Sequence, residues 1–85
     1  MIENTTALTR AIVEALVLLE DSSVDEIDPD LAIRGMENIT AHLVELSEPD
    51  QRALREELAG IASSSSSDSY AAFVSTLADS IGLAE

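Results

Sequence analysis

Proline occurs twice in this chain of 85 residues, each time between two acidic residues: Asp28-Pro29-Asp30 and Glu48-Pro49-Asp50. Proline has no N–H and a fixed φ, so it suits the first turn of a helix and disrupts a helix interior or a central strand. At the first site Asp28 is a good N-cap and Pro29 takes the first helical position. Asp30 then sits near the positive end of the helix dipole. At the second site Ser47-Glu48-Pro49-Asp50 reads as an S-x-x-D capping pattern. The two starts share a grammar but make no repeat, because the residues after Asp30 and after Asp50 differ.

The helical period fills the chain around these starts, with helices expected over about 5–20, 29–46, 48–62 and 68–81. In the first, Leu8, Ile12, Ala15 and Leu19 follow the period, widened by Ala11, Leu16 and Leu18. Val13 and Val17 lie on nearly the opposite side, beside Arg10 and Glu14, so this helix is apolar almost all round. Such a helix is central in its fold or buried on two sides. Two-sided burial is hard to arrange in so short a monomer, so a homodimer seam along Val13 and Val17 is expected.

In the second helix Leu31, Ala32, Met36, Ile39, Leu43 and Leu46 form one face, and Gly35 at its edge would let a neighbouring helix approach closely. The third carries Leu54, Leu58 and Ile61. A run of five serines, Ser63 to Ser67, competes for backbone hydrogen bonds. It is expected to end the third helix and cap the fourth. The fourth presents Tyr70, Phe73, Val74, Leu77, Ala78 and Ile81, and Gly82 terminates it. The connection between the second and third helices is short, so these should lie side by side and antiparallel.

Hydrophobic residues make up 46% of the chain and aromatic residues only 2%. A core of Leu, Ile, Val and Ala suits helix-on-helix packing better than a β-sandwich. The expected fold is all-α: one domain over residues 1–85, a small antiparallel (up-down) four-helix bundle that forms a homodimer.

Charge narrows the function. Seventeen acidic residues face four basic ones, all arginine, for a net charge of -13. Nucleic-acid binding needs a basic patch, as does docking on anionic lipid, and neither class of partner is expected. A basic protein is the favoured complement. Cysteine is absent, which excludes disulfides and thiolate metal sites. Met1-Ile2-Glu3-Asn4 lacks the basic start of a signal peptide, and the longest apolar run, Ala15 to Leu19, is too short for a bilayer. A cytoplasmic protein is expected.

The charge concentrates in Glu20 to Asp30, EDSSVDEIDPD, with six acidic residues and no base. A calcium-binding EF-hand loop needs Gly at position 6 and Glu at position 12. Counting from Asp21 puts Glu26 and Ala32 there, and no metal ligand set is assigned. In size, charge and helix count the chain is similar to acyl and peptidyl carrier proteins, whose phosphopantetheine serine sits in an Asp-Ser-Leu or Asp-Ser-Ile motif. Asp79-Ser80-Ile81 matches that tripeptide, but Gly82 follows and no recognition helix can form after it. Asp21-Ser22-Ser23 is better placed, yet Pro29 interrupts a helix starting there. His42 is the only histidine and has no motif-level partner for nucleophilic catalysis. No enzyme activity and no cofactor are therefore expected.

Recognition by surface is left. Glu20, Asp21, Asp25, Glu26, Asp28 and Asp30, with Val24 and Ile27 among them, form the candidate partner-binding set. The apolar pair either pins the loop to the core or anchors a partner inside an acidic rim. The expected function is a non-enzymatic interaction domain of the inhibitor, immunity-protein or adaptor type. A carrier-like protein and a purely structural homodimer are the alternatives.

Overall fold

The computed structural model describes residues 5–85, so the signal-peptide reading of Met1 to Asn4 lies outside the described residues. Four helices succeed one another: α1 (Thr5–Asp21), α2 (Pro29–Leu43), α3 (Glu48–Ser64) and α4 (Asp68–Ile81). Among the described residues there is no strand, and no helix is long and apolar enough to cross a membrane.

Three of the helices start on side-chain caps. The Asp28 carboxylate accepts from the Asp30 and Leu31 N–H groups at 2.9 and 3.3 Å. The Ser47 hydroxyl accepts from Asp50 N–H at 3.4 Å, and that of Ser67 from Tyr70 N–H at 3.3 Å. Each cap satisfies a donor that the helix itself leaves unpaired. Gly82 ends α4 with φ 89°, a left-handed geometry that glycine adopts without strain. The Gly82 and Leu83 N–H groups both donate to the Ala78 carbonyl, and Leu83 folds back into the core.

Two helix ends differ from expectation. α2 stops at Leu43 rather than near residue 46. Ser47 must be extended to cap α3, so Val44 to Leu46 form a tighter turn, with Glu45 and Leu46 N–H donating to the His42 and Leu43 carbonyls. The Gln51 amide reinforces that turn by donating to the Val44 and Leu46 carbonyls at 3.0 and 2.9 Å. α3 runs on into the serines as far as Ser64. The Ser63 and Ser64 hydroxyls donate back to the Ala59 and Ile61 carbonyls, which lets serine ride on a helix rather than break it.

The core is built by α1, α3 and α4: Val13 and Leu16, Leu58 and Ile61, then Val74, Leu77, Ala78 and Leu83. Tyr70 and Phe73 pack against it, half-buried. α2 lies outermost and buries only Ala32; it packs on α1 and not side by side with α3, so the neighbour expected from the short α2–α3 connection is corrected. Its close approach to α1 is at Gly35, where an added Cβ would stand 3.1 Å from Leu19 Cδ1.

The face of α1 is not the one its pattern suggests. Val13 is 0% exposed within the single chain, and Val17 packs half-buried against the same core. A seam through Val13 and Val17 is therefore corrected: Val13 has no surface to offer a second copy. Leu8 and Leu18, on the expected inner side or its margin, are 48% and 65% exposed. The physical reason lies on α3, where the Glu57 carboxylate accepts hydrogen bonds from the Thr5 and Thr9 hydroxyls. Thr9, Val13 and Leu16 are spaced i, i+4, i+7, so that polar contact turns their stripe inward.

A second set of contacts ties α3 to α4. The Arg55 guanidinium donates to Asp79 Oδ1 at 2.8 Å and to the Leu83 and Ala84 carbonyls at 2.9 and 3.2 Å. Gln51 Oε1 accepts from Ala84 N–H at 2.9 Å. The beginning of α3 thus lies against the end of α4, and the Ser65 to Ser67 turn joins their other ends.

Candidate functional site

The acidic stretch forms the end of α1, a short connector and the start of α2. Asp21 closes α1, and the Ser22 hydroxyl donates to the Leu19 carbonyl at 2.9 Å, satisfying one of its last acceptors. The connector then makes one isolated turn. Ser23 C=O accepts from the Glu26 and Ile27 N–H groups, both at 3.0 Å, and Ser23 N–H donates to Glu26 Oε1 at 3.0 Å. Ser23-Val24-Asp25-Glu26 has the S-x-x-E spacing of a capping box, and its Glu arm is formed: the Glu26 side chain reaches back to the Ser23 N–H. That spacing is a signal in the sequence which the expectation of a plain acidic loop passed over.

The turn sorts the six carboxylates. Two support backbone: Glu26 holds the connector turn and Asp28 caps α2. The Ser23 N–H, and after it the Ser23 hydroxyl, hold the Glu26 carboxyl below its ordinary value. Glu20, Asp21, Asp25 and Asp30 are exposed, and none of the six forms an ion pair among the described residues. The two apolar residues separate as well. Ile27 is half-buried near Leu19, Ala32 and Met36 and pins the connector. Val24 borders the same shallow pocket but is 72% exposed.

The remaining candidates lie elsewhere on the bundle. Among the described residues no group of three or more His, Asp or Glu side chains could hold a metal ion. Ser22 is half-buried with its hydroxyl committed to Leu19, while Asp79 beside Ser80 is paired with Arg55. His42 stands in solvent, 79% exposed, with Glu45 3.8 Å away as its partner.

A further feature of the surface is only faintly marked in the sequence. The first half of α1, the end of α2 with its adjoining turn, and the first half of α3 enclose an open groove of about 430 Å³. Leu8, Ile12, Leu43, Leu46 and Leu54 line it, with Asp50 and Glu57 at its polar side. Hydrogen bonds from Thr5 and then Thr9 hold the Glu57 carboxyl below its ordinary value. The only signal in the sequence is Leu8 together with Leu46, which the helical period assigns to inward faces.

No family model matches the chain, and no curated protein or solved structure does either.

Proposed function

We propose that the protein is a non-enzymatic, acidic protein-interaction domain: an up-down four-helix bundle that binds a basic protein, in the manner of an inhibitor, an immunity protein or an adaptor. The observation that carries this is the connector from Glu20 to Asp30. It holds six acidic residues, none of them in an ion pair among the described residues, and four of them exposed and free of any backbone role, around an exposed Val24. Two of the four arginines are engaged by other carboxylates, Arg52 by Glu48 and Arg55 by Asp79. Such a rim speeds association with a cationic surface and rejects anionic ones, while an apolar anchor adds affinity.

The test is an affinity capture from the native source at moderate salt, run with the wild-type chain and with Asp25→Lys/Asp30→Lys. Both positions are exposed, so the variant should fold. A stoichiometric basic protein that is released at high salt and lost from the variant supports the proposal. Equal capture by both chains would remove the connector from the interface. An intact mass carrying a phosphopantetheine adduct would replace the proposal with a carrier function.

A further inference from the structure

The groove lies at the end of the bundle opposite the acidic connector, since the connector joins the end of α1 to the start of α2. Leu8 is 48% and Leu46 38% exposed there, next to the half-buried Ile12, Leu43 and Leu54. An apolar strip shared by three helices is more than the scattered exposed leucine of an ordinary surface. Its polar side is anionic. Asp50 and Glu57 line it, Glu45 and Glu48 stand in the adjoining turn and helix start, and the Arg52 guanidinium is engaged by Glu48. Thr5 and Thr9 already satisfy Glu57, so an occupant need not supply its hydrogen bonds.

The same charge argues against a second copy as the occupant. Two chains of net charge -13 would meet with their acidic sides together, and like charges facing each other across an interface are unfavourable. A helix with one apolar face and basic flanks complements both features, because its i, i+3/i+4, i+7 row presents a continuous apolar ridge. We propose that the groove of Leu8, Ile12, Leu43, Leu46 and Leu54 receives a cationic amphipathic helix of the partner protein, as a docking surface separate from the acidic connector. This rests on the assignment of the chain as an acidic protein-binding domain.

The experiment titrates the ¹⁵N-labelled full chain with a synthetic Leu/Lys peptide whose leucines keep helical spacing. A scrambled Leu/Lys peptide and a Leu/Glu peptide of the same spacing serve as controls. The expected result is saturable amide shifts centred on Leu8, Ile12, Leu46 and Leu54 with the first peptide only. Leu8→Ser and Leu46→Ser, both at partly exposed positions and checked for folding by circular dichroism, should each weaken binding roughly tenfold. Shifts confined to Glu20–Asp30 would overturn the groove while leaving the acidic-domain assignment intact. Equal binding of the scrambled peptide would overturn it too, by showing charge attraction without a helix-shaped site. Concentration-dependent shifts at the groove without peptide would make a second copy its occupant. No response to any cationic peptide would sink both the groove and the assignment beneath it.

Discussion

Val13→Ala separates the observed core from the seam that the sequence pattern implies. Val13 is fully enclosed by the chain's own side chains. The substitution removes two carbons, and at about 0.8 kcal/mol per buried CH₂ the transfer part is about 1.6 kcal/mol. The surrounding helices collapse only partly onto the space left, which raises the expected loss to about 2–3 kcal/mol. A domain of this length has a total stability of roughly 4–13 kcal/mol, so the change is large. The melting midpoint should fall by about 10–20 °C. Leu18→Ala, at a position 65% exposed, is the control and should stay within about 0.5 kcal/mol of wild type. The assay is urea and thermal unfolding, read by far-UV circular dichroism at two widely separated protein concentrations. A Val13→Ala loss below about 0.5 kcal/mol would refute the core placement. So would a wild-type midpoint that rises with concentration while the variant's does not, because that is the signature of a seam.

Four further outcomes are expected. Arg55→Ala should cost about 1–3 kcal/mol and speed amide exchange at Leu83 and Ala84, with Arg55→Lys recovering only part because it lacks the planar fork. Gly60→Ala should stabilise by about 0.5–1 kcal/mol, since Gly60 is in a helix and nothing lies within 4 Å of an added Cβ. Gly82→Ala should instead destabilise by roughly 1–2 kcal/mol because of its left-handed φ, and chemical denaturation reads both. The Glu57 carboxyl is lowered in the folded chain from 4.5, so the unfolded state takes up its proton first as pH falls. Its contribution is present above about 4.5 and lost as pH falls through the folded value, so Thr9→Val should flatten the urea-midpoint decline on the acid side of that point.

The parts of the fold that the sequence made legible are those set by neighbours in the chain. Asp28, Ser47 and Ser67 start helices by bonding an N–H two or three residues on, and Gly82 stops one by its own backbone freedom. What was not legible depends on residues far apart. α1 is apolar on nearly every side, so its pattern has no phase, and the face was chosen by Glu57 on α3 through Thr5 and Thr9. Gln51 and Arg55 belong to no motif of the sequence, yet they join the α2–α3 turn and the end of α4. In the acidic stretch the overall exposure was legible, but the division of labour was not. The Ser23–Glu26 turn converts one apparent rim charge into a backbone support and leaves Val24 outside. The groove was hidden for the same reason as the face of α1, because Leu8 and Leu46 become neighbours only when three helices meet.

The three side-chain caps have a kinetic consequence. Starting a helix is its unfavourable step, and a cap lowers that barrier with residues already adjacent in the chain. α2, α3 and α4 can therefore mark their own beginnings before any of them touches another. The search that remains is the docking of segments whose limits are already set, a regime in which helical bundles fold in about microseconds to milliseconds. Weakening Asp28, Ser47 or Ser67 should then slow folding, whereas trimming Val13, Leu16 or Val74 should mainly hasten unfolding.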